Sequence, residues 1–124
     1  MNIKLILIFL LCLMPGLKAL AKEVPEQIYQ HAWCSEHHGR AEVVLADNTR
    51  ADCITATHAI EFDFGPKWAE AIGQALYYSK QTGKRAGVVL IIDPERGWKY
   101  WVRLNDTIKE FNLPVDTWAI RRSD

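Results

Sequence analysis

This chain predicts an α/β fold with a mixed sheet and helices on both faces, on three observations. Two short strands joined by a turn are followed by a third, which makes a meander. The segments after the meander alternate between helical and extended periodicity. One of them, Ala86–Ile92 (AGVVLII), is apolar throughout, as a central strand covered on both faces must be.

The first 21 of the 124 residues stand apart. Lys4 precedes an apolar run from Leu5 to Met14, Pro15 and Gly16 break it, and Ala19-Leu20-Ala21 offers small residues where a signal peptidase reads. The run is half of the roughly 20 residues needed to span a bilayer. The expectation is a cleavable signal, Met1–Ala21, and an exported protein, periplasmic or secreted, with no membrane attachment after cleavage. A single domain, Lys22–Asp124, remains. The chain has 15 basic and 15 acidic residues. Lys4 and Lys18 leave with the signal, so the remainder is slightly acidic. That excludes a strongly basic nucleic-acid binder and leaves room for a local basic patch.

Pro25–His38 has helical character, with Ile28, Ala32 and Trp33 on one side and Gly39 as a stop. Ala41–Ala46 reads as a strand, Asp47-Asn48 as a turn, and Arg50–Thr55 as the second strand of a hairpin. Ala59–Phe64 alternates strictly, with Ile60, Phe62 and Phe64 on one face and Glu61 and Asp63 on the other. Gly65-Pro66 starts a long helix that Gly83 ends. Its apolar stripe is Trp68, Ala71, Ile72, Ala75 and Leu76; Lys67, Glu70, Gln74 and Tyr78 form a polar one. Gly97–Phe111 fits a helix through Trp101, Leu104, Ile108 and Phe111, or a strand through Trp98, Tyr100, Val102 and Leu104. The helix holds its period longer. Asn112-Leu113-Pro114 breaks it, and Val115–Ile120 is a last strand.

Cys34 and Cys53 are the cysteines left after the signal. In an exported protein such a pair reads as a disulfide. The competing reading, a metal held by Cys34, His37 and His38, lacks a matching second half. The Trp98–Trp101 cluster, with Lys99 and Arg103, reads either as helix packing with snorkelling cations or as a surface for stacking bases.

Asp52, Glu61 and Asp63 are the chemically informative set. Neighbouring strands would bring them close, and such a cluster repels itself unless a cation enters or some carboxyls are protonated. Carboxylates suit Mg²⁺ or Mn²⁺, which activate water and stabilise charge on a phosphodiester. The plain alternative is that Glu61 and Asp63 are the wet face of an edge strand.

The run Asp52-Cys53-Ile54-Thr55-Ala56-Thr57-His58-Ala59-Ile60-Glu61-Phe62-Asp63, with Lys67-Trp68 and Gln74-Ala75-Leu76-Tyr77-Tyr78 after it, resembles the PD-(D/E)XK nuclease superfamily in its RecB-like form. The resemblance covers roughly Glu42 to Ile92. It implies a restriction-endonuclease-like α-β-β-β-α-β core, here followed by a C-terminal helix and strand. It implies Asp52 and Glu61 as metal ligands, Glu42 as the upstream acid, and Gln74 and Tyr78 as the Gln-x-x-x-Tyr motif that shapes the site. DNA is the partner it implies. The family's lysine, two residues after Glu61, is replaced by Asp63, and Lys67 is a candidate substitute. Three functions follow: an exported metal-dependent nuclease, a silent relative with a binding role in the cell envelope, and a small disulfide-stabilised structural protein.

Overall fold

The computed structural model describes residues 23–123, so the expected signal, Met1–Ala21, lies outside the described residues. The order is α1 (Glu26–Glu36), β1 (Arg40–Val44), β2 (Arg50–Ile54), β3 (His58–Phe64), α2 (Trp68–Thr82), β4 (Arg85–Ile92), α3 (Trp98–Glu110) and β5 (Val115–Arg121). The five strands form one mixed sheet in the order β1-β2-β3-β4-β5. The meander is antiparallel, and β3, β4 and β5 are parallel, each crossover carried by a helix. No helix among the described residues is long and apolar enough to cross a membrane.

The apolar run of β4 does what its composition requires. Ala86, Val88, Leu90 and Ile92 pack under α2 and α3, against Ala71, Ile72, Ala75 and Leu104. Val89 faces the opposite layer with Ile60, Phe62, Trp33 and the two cysteines. The disulfide joins Cys34 on α1 to Cys53 on β2, which settles the pairing and ends the metal reading. His37 instead stacks on Trp33 and bonds through Nδ1 to the Trp33 carbonyl.

The molecule departs from the sequence expectation at four places. On α1 the buried residues are Tyr29, Gln30, Trp33 and Cys34, while Ile28 is 59% exposed and Ala32 is also exposed. The disulfide fixes which side of α1 meets the sheet, so Ile28 and Ala32 turn outward. Phe111 is 71% exposed, because α3 ends one residue before it. A single 3₁₀ turn, Gly65–Lys67, precedes α2, so Lys67 stands at the helix cap rather than in its first turn. Tyr78 is buried with the apolar stripe rather than lying on the polar one. Gly83, at φ 69°, closes α2 in the left-handed conformation that glycine adopts without penalty.

Candidate active site

Glu61 and Asp63 occupy the middle of β3, opposite Val88 and Leu90 of β4. They therefore face the α2 layer, and they are buried, 5% and 7% exposed. The wet-edge reading fails on topology. β3 is the central strand of five, and α2 packs across it.

Asp52 reaches the same place because β2 and β3 splay apart. Their ladder has only two registered pairs, Cys53↔Ile60 and Ile54↔Ala59. Beyond them two side chains replace strand-to-strand bonding. The Phe62 N–H donates to Asp52 Oδ2 at 2.8 Å, and the Gln30 amide donates to the Asp52 carbonyl at 2.8 Å. Asp52 is thus pinned at its carboxylate and at its backbone. Gln30, on α1, is 2% exposed, a buried polar group whose partner explains its burial.

The charges in this group are crowded. Burial pushes the Glu61 carboxyl up to about 10, helped by the neighbouring Asp52 and Asp63 charges. Burial raises Asp63 to about 7, with Glu26 adding to the rise and Lys67 opposing it. Asp52 and Glu26 are also raised, each chiefly by burial. Near neutral pH Glu61 therefore carries a proton, and its hydrogen bond to Asp52 opposes the rise that burial imposes there. Glu61 Oε2 is nevertheless buried with no hydrogen-bond partner. Tyr78 packs beside the pair, and its phenol is pushed up by burial first and then by the neighbouring Glu61 and Asp52 carboxyls.

The expected residues divide into two groups. Asp52, Glu61, Asp63 and Tyr78 come together. Glu42 lies on β1 at φ 53°, accepts a 3.4 Å hydrogen bond from Gln27 and adds its charge at Asp52. Gln74 is exposed one turn before Tyr78. Lys67 is exposed and its charge falls on Asp63 and Glu26. The ion pairs among the described residues lie elsewhere, at His58–Asp116, Arg85–Asp116, Arg122–Glu23 and Arg122–Asp93. Glu26 and Gln30 belong to the site and are absent from the sequence reading. The signal for Gln30 was present: it lies one helical turn before Cys34, and Asp52 immediately precedes Cys53.

Among the described residues, no group of three or more His, Cys, Asp or Glu side chains is placed to hold a metal ion. The donor chemistry still fits a hard cation: the acids supply only oxygen, and one carboxylate oxygen is buried without a partner. Searches against known protein families, curated proteins and solved structures return no match for this chain.

Proposed function

We propose that this protein is an exported, Mg²⁺- or Mn²⁺-dependent hydrolase of DNA phosphodiester bonds, with a restriction-endonuclease-like core. The single observation that carries the reading is the buried, unpartnered Glu61 Oε2 within a group of crowded carboxylates on a central strand. A domain of this size gains nothing in stability from such a group, because each buried carboxyl costs free energy to ionise. A binding role accounts for its presence. The helix, antiparallel meander, helix and parallel strand succession supports the core assignment. The disulfide supports export, since such bonds persist in oxidising compartments.

Asp52, Glu61 and Asp63 would hold the cation. When bound, it supplies Lewis-acid stabilisation of phosphodiester charge and a water of lowered pKa. The chain's own residues do the rest. The Phe62 N–H and Gln30 fix Asp52 in place, so its carboxylate needs no rearrangement. Tyr78 and the α2 layer keep bulk water from Glu61. Lys67, whose charge already opposes that of Asp63 and Glu26, offsets the charge of an arriving phosphate.

The aspartate at position 63, and the exposure of Lys67, favour a second reading in which the site binds a cation without turnover and serves in the cell envelope. One assay separates the two. The oxidised protein is incubated with single- and double-stranded DNA and Mg²⁺ or Mn²⁺, beside Asp52→Ala and Glu61→Gln. Cleavage that chelation stops and both variants lose supports the nuclease. Cation-dependent stabilisation without cleavage supports the binding protein, and the absence of both refutes the site.

A further inference from the structure

We infer that the cavity at the C-terminal ends of β3, β4 and β5 is a second binding site, for the phosphate of an unpaired nucleic-acid strand. It holds about 230 Å³. That is below the roughly 300 Å³ at which drug-sized pockets begin, and suits one nucleotide fragment rather than a duplex. It lies outside the carboxyl ends of parallel strands, where open α/β sheets gather their ligands.

Its lining has the chemistry of a strand site. Arg96, Lys99 and Arg122 border it, against one acid, Asp93. Asp93 and Glu23 already hold Arg122, at 3.1 and 3.5 Å. Arg96 and Lys99 are exposed, and neither is in an ion pair among the described residues. Arg96 lends part of its field to Asp93, which Arg122 already pairs, so the lining keeps a net positive charge for an anion. Tyr100, half-buried against the core, forms part of the wall, with Lys99 Nζ 5.1 Å and the Arg103 guanidinium 5.6 Å from its ring centre. Trp98, 41% exposed, lies one helix position before Lys99. Cations beside aromatic rings bind single strands, because every base offers a face to stack on.

The cavity and the acidic group share one stretch of chain. Phe64, Gly65 and Pro66 line the cavity. Asp63 immediately precedes them and Lys67 follows. Gly65 permits this approach: a Cβ there would meet Tyr100 Cδ2 at 2.8 Å. A strand seated on Arg96 and Lys99 therefore continues past Asp63 and Lys67. The inference rests on the proposed function only in taking nucleic acid, rather than a free nucleotide or phosphate ion, as the source of the phosphate.

The test reads binding without chemistry. Anisotropy of a labelled 12-residue oligothymidylate is measured with the Glu61→Gln protein in chelator, over a salt series. A duplex, thymidine monophosphate, inorganic phosphate and anionic phosphatidylserine vesicles serve as competitors. The single strand should bind at least tenfold more tightly than the duplex. The Arg96→Ala/Lys99→Ala protein should lose at least tenfold in affinity, and its salt slope should flatten by about 1.4, two phosphate contacts at about 0.7 each. Lys80→Ala, an exposed cation at the far end of α2, should bind as the parent does. Equal binding of duplex, binding indifferent to Arg96 and Lys99, or competition by vesicles or free phosphate as effective as by the strand would each overturn the inference. Because no metal and no Glu61 carboxylate is present, a failed cleavage assay leaves this readout intact.

Discussion

Replacing Asp63 with asparagine should stabilise the cation-free protein in alkali and leave it almost unchanged in acid. The carboxyl has an ordinary value of 3.8 and is raised to about 7 in the folded chain, by burial first and by Glu26 next. A group raised on folding binds its proton more tightly in the folded state. Below pH 4 both states are protonated and nothing is lost. Between pH 4 and 7 the unfolded chain ionises more readily, so folding loses stability, and above 7 the loss is complete. The interval from 3.8 to about 7, at about 1.4 kcal/mol per pH unit, sets an upper bound of about 4 kcal/mol. Half of that, allowing for relaxation around the carboxylate, shifts the melting temperature of a 100-residue domain by roughly 10 °C.

The assay is a melting series of parent and Asp63→Asn in chelator from pH 4 to 9. The two should coincide near pH 4 and diverge through pH 7, with the variant higher. Saturating Mg²⁺ at pH 9 should narrow the gap by stabilising the parent, since the ion replaces the proton. A variant that melts lower than the parent by the same amount at every pH would refute the argument. Asp63 would then be a packing residue with no field upon it.

Glu61→Gln should melt near the parent at pH 7.5 in chelator, because a carboxyl at about 10 is already neutral there, and it should lose the rise that Mg²⁺ or Mn²⁺ brings. A retained rise in the titration places the cation elsewhere. Reducing Cys34–Cys53, which closes a loop 19 residues apart in sequence, should cost about 3 kcal/mol, seen as a melting-temperature drop of more than 10 °C in dithiothreitol and in Cys34→Ser/Cys53→Ser. Gly87→Ala should destabilise by about 1–3 kcal/mol and change tryptophan emission, because its Cβ would stand 2.8 Å from Trp118 Cζ3. Gly73→Ala, on the exposed side of α2 with nothing within 4 Å, should stabilise by about 0.5–1 kcal/mol in denaturant melts.

Most elements of the fold were legible because their periods are long and their breaks are chemically sharp. The uninterrupted run of β4 and the alternation of β3 need no tertiary information. The third helix was resolved from a strand by the longer persistence of its period, and Trp98–Glu110 is helical. Local rules failed where a distant contact chose the face. Ile28 and Ala32 are apolar, but the bond to Cys53 turns Trp33 and Cys34 inward instead. Tyr78 falls on the polar stripe by angle, yet it sits over Ala51, Ile54 and Ala59 of the splayed β2–β3 pair. The site was legible as a list of acids, not as an arrangement. Glu26 is separated from Asp63 by most of the meander, and its place beside Asp52 follows only from how α1 docks.

That docking also sets the terms on which an incidental and a selected acidic face are told apart. A wet face on an edge strand would leave Glu61 and Asp63 hydrated at ordinary acidity. Here the strand is central, α2 covers it, and the chain supplies Asp52 with two donors, from Phe62 and Gln30, while supplying Glu61 Oε2 with none. If the fold merely tolerated the acids, that unpaired oxygen would be the costly atom and the first to be replaced. Two occupants can neutralise the group, a proton or a cation, and they differ in their pH dependence. A proton leaves as pH rises through 7 and toward 10, whereas a cation binds more tightly over the same range. Stability that falls with pH in chelator and recovers with Mg²⁺ would therefore identify the cation as the partner for which these carboxylates are buried.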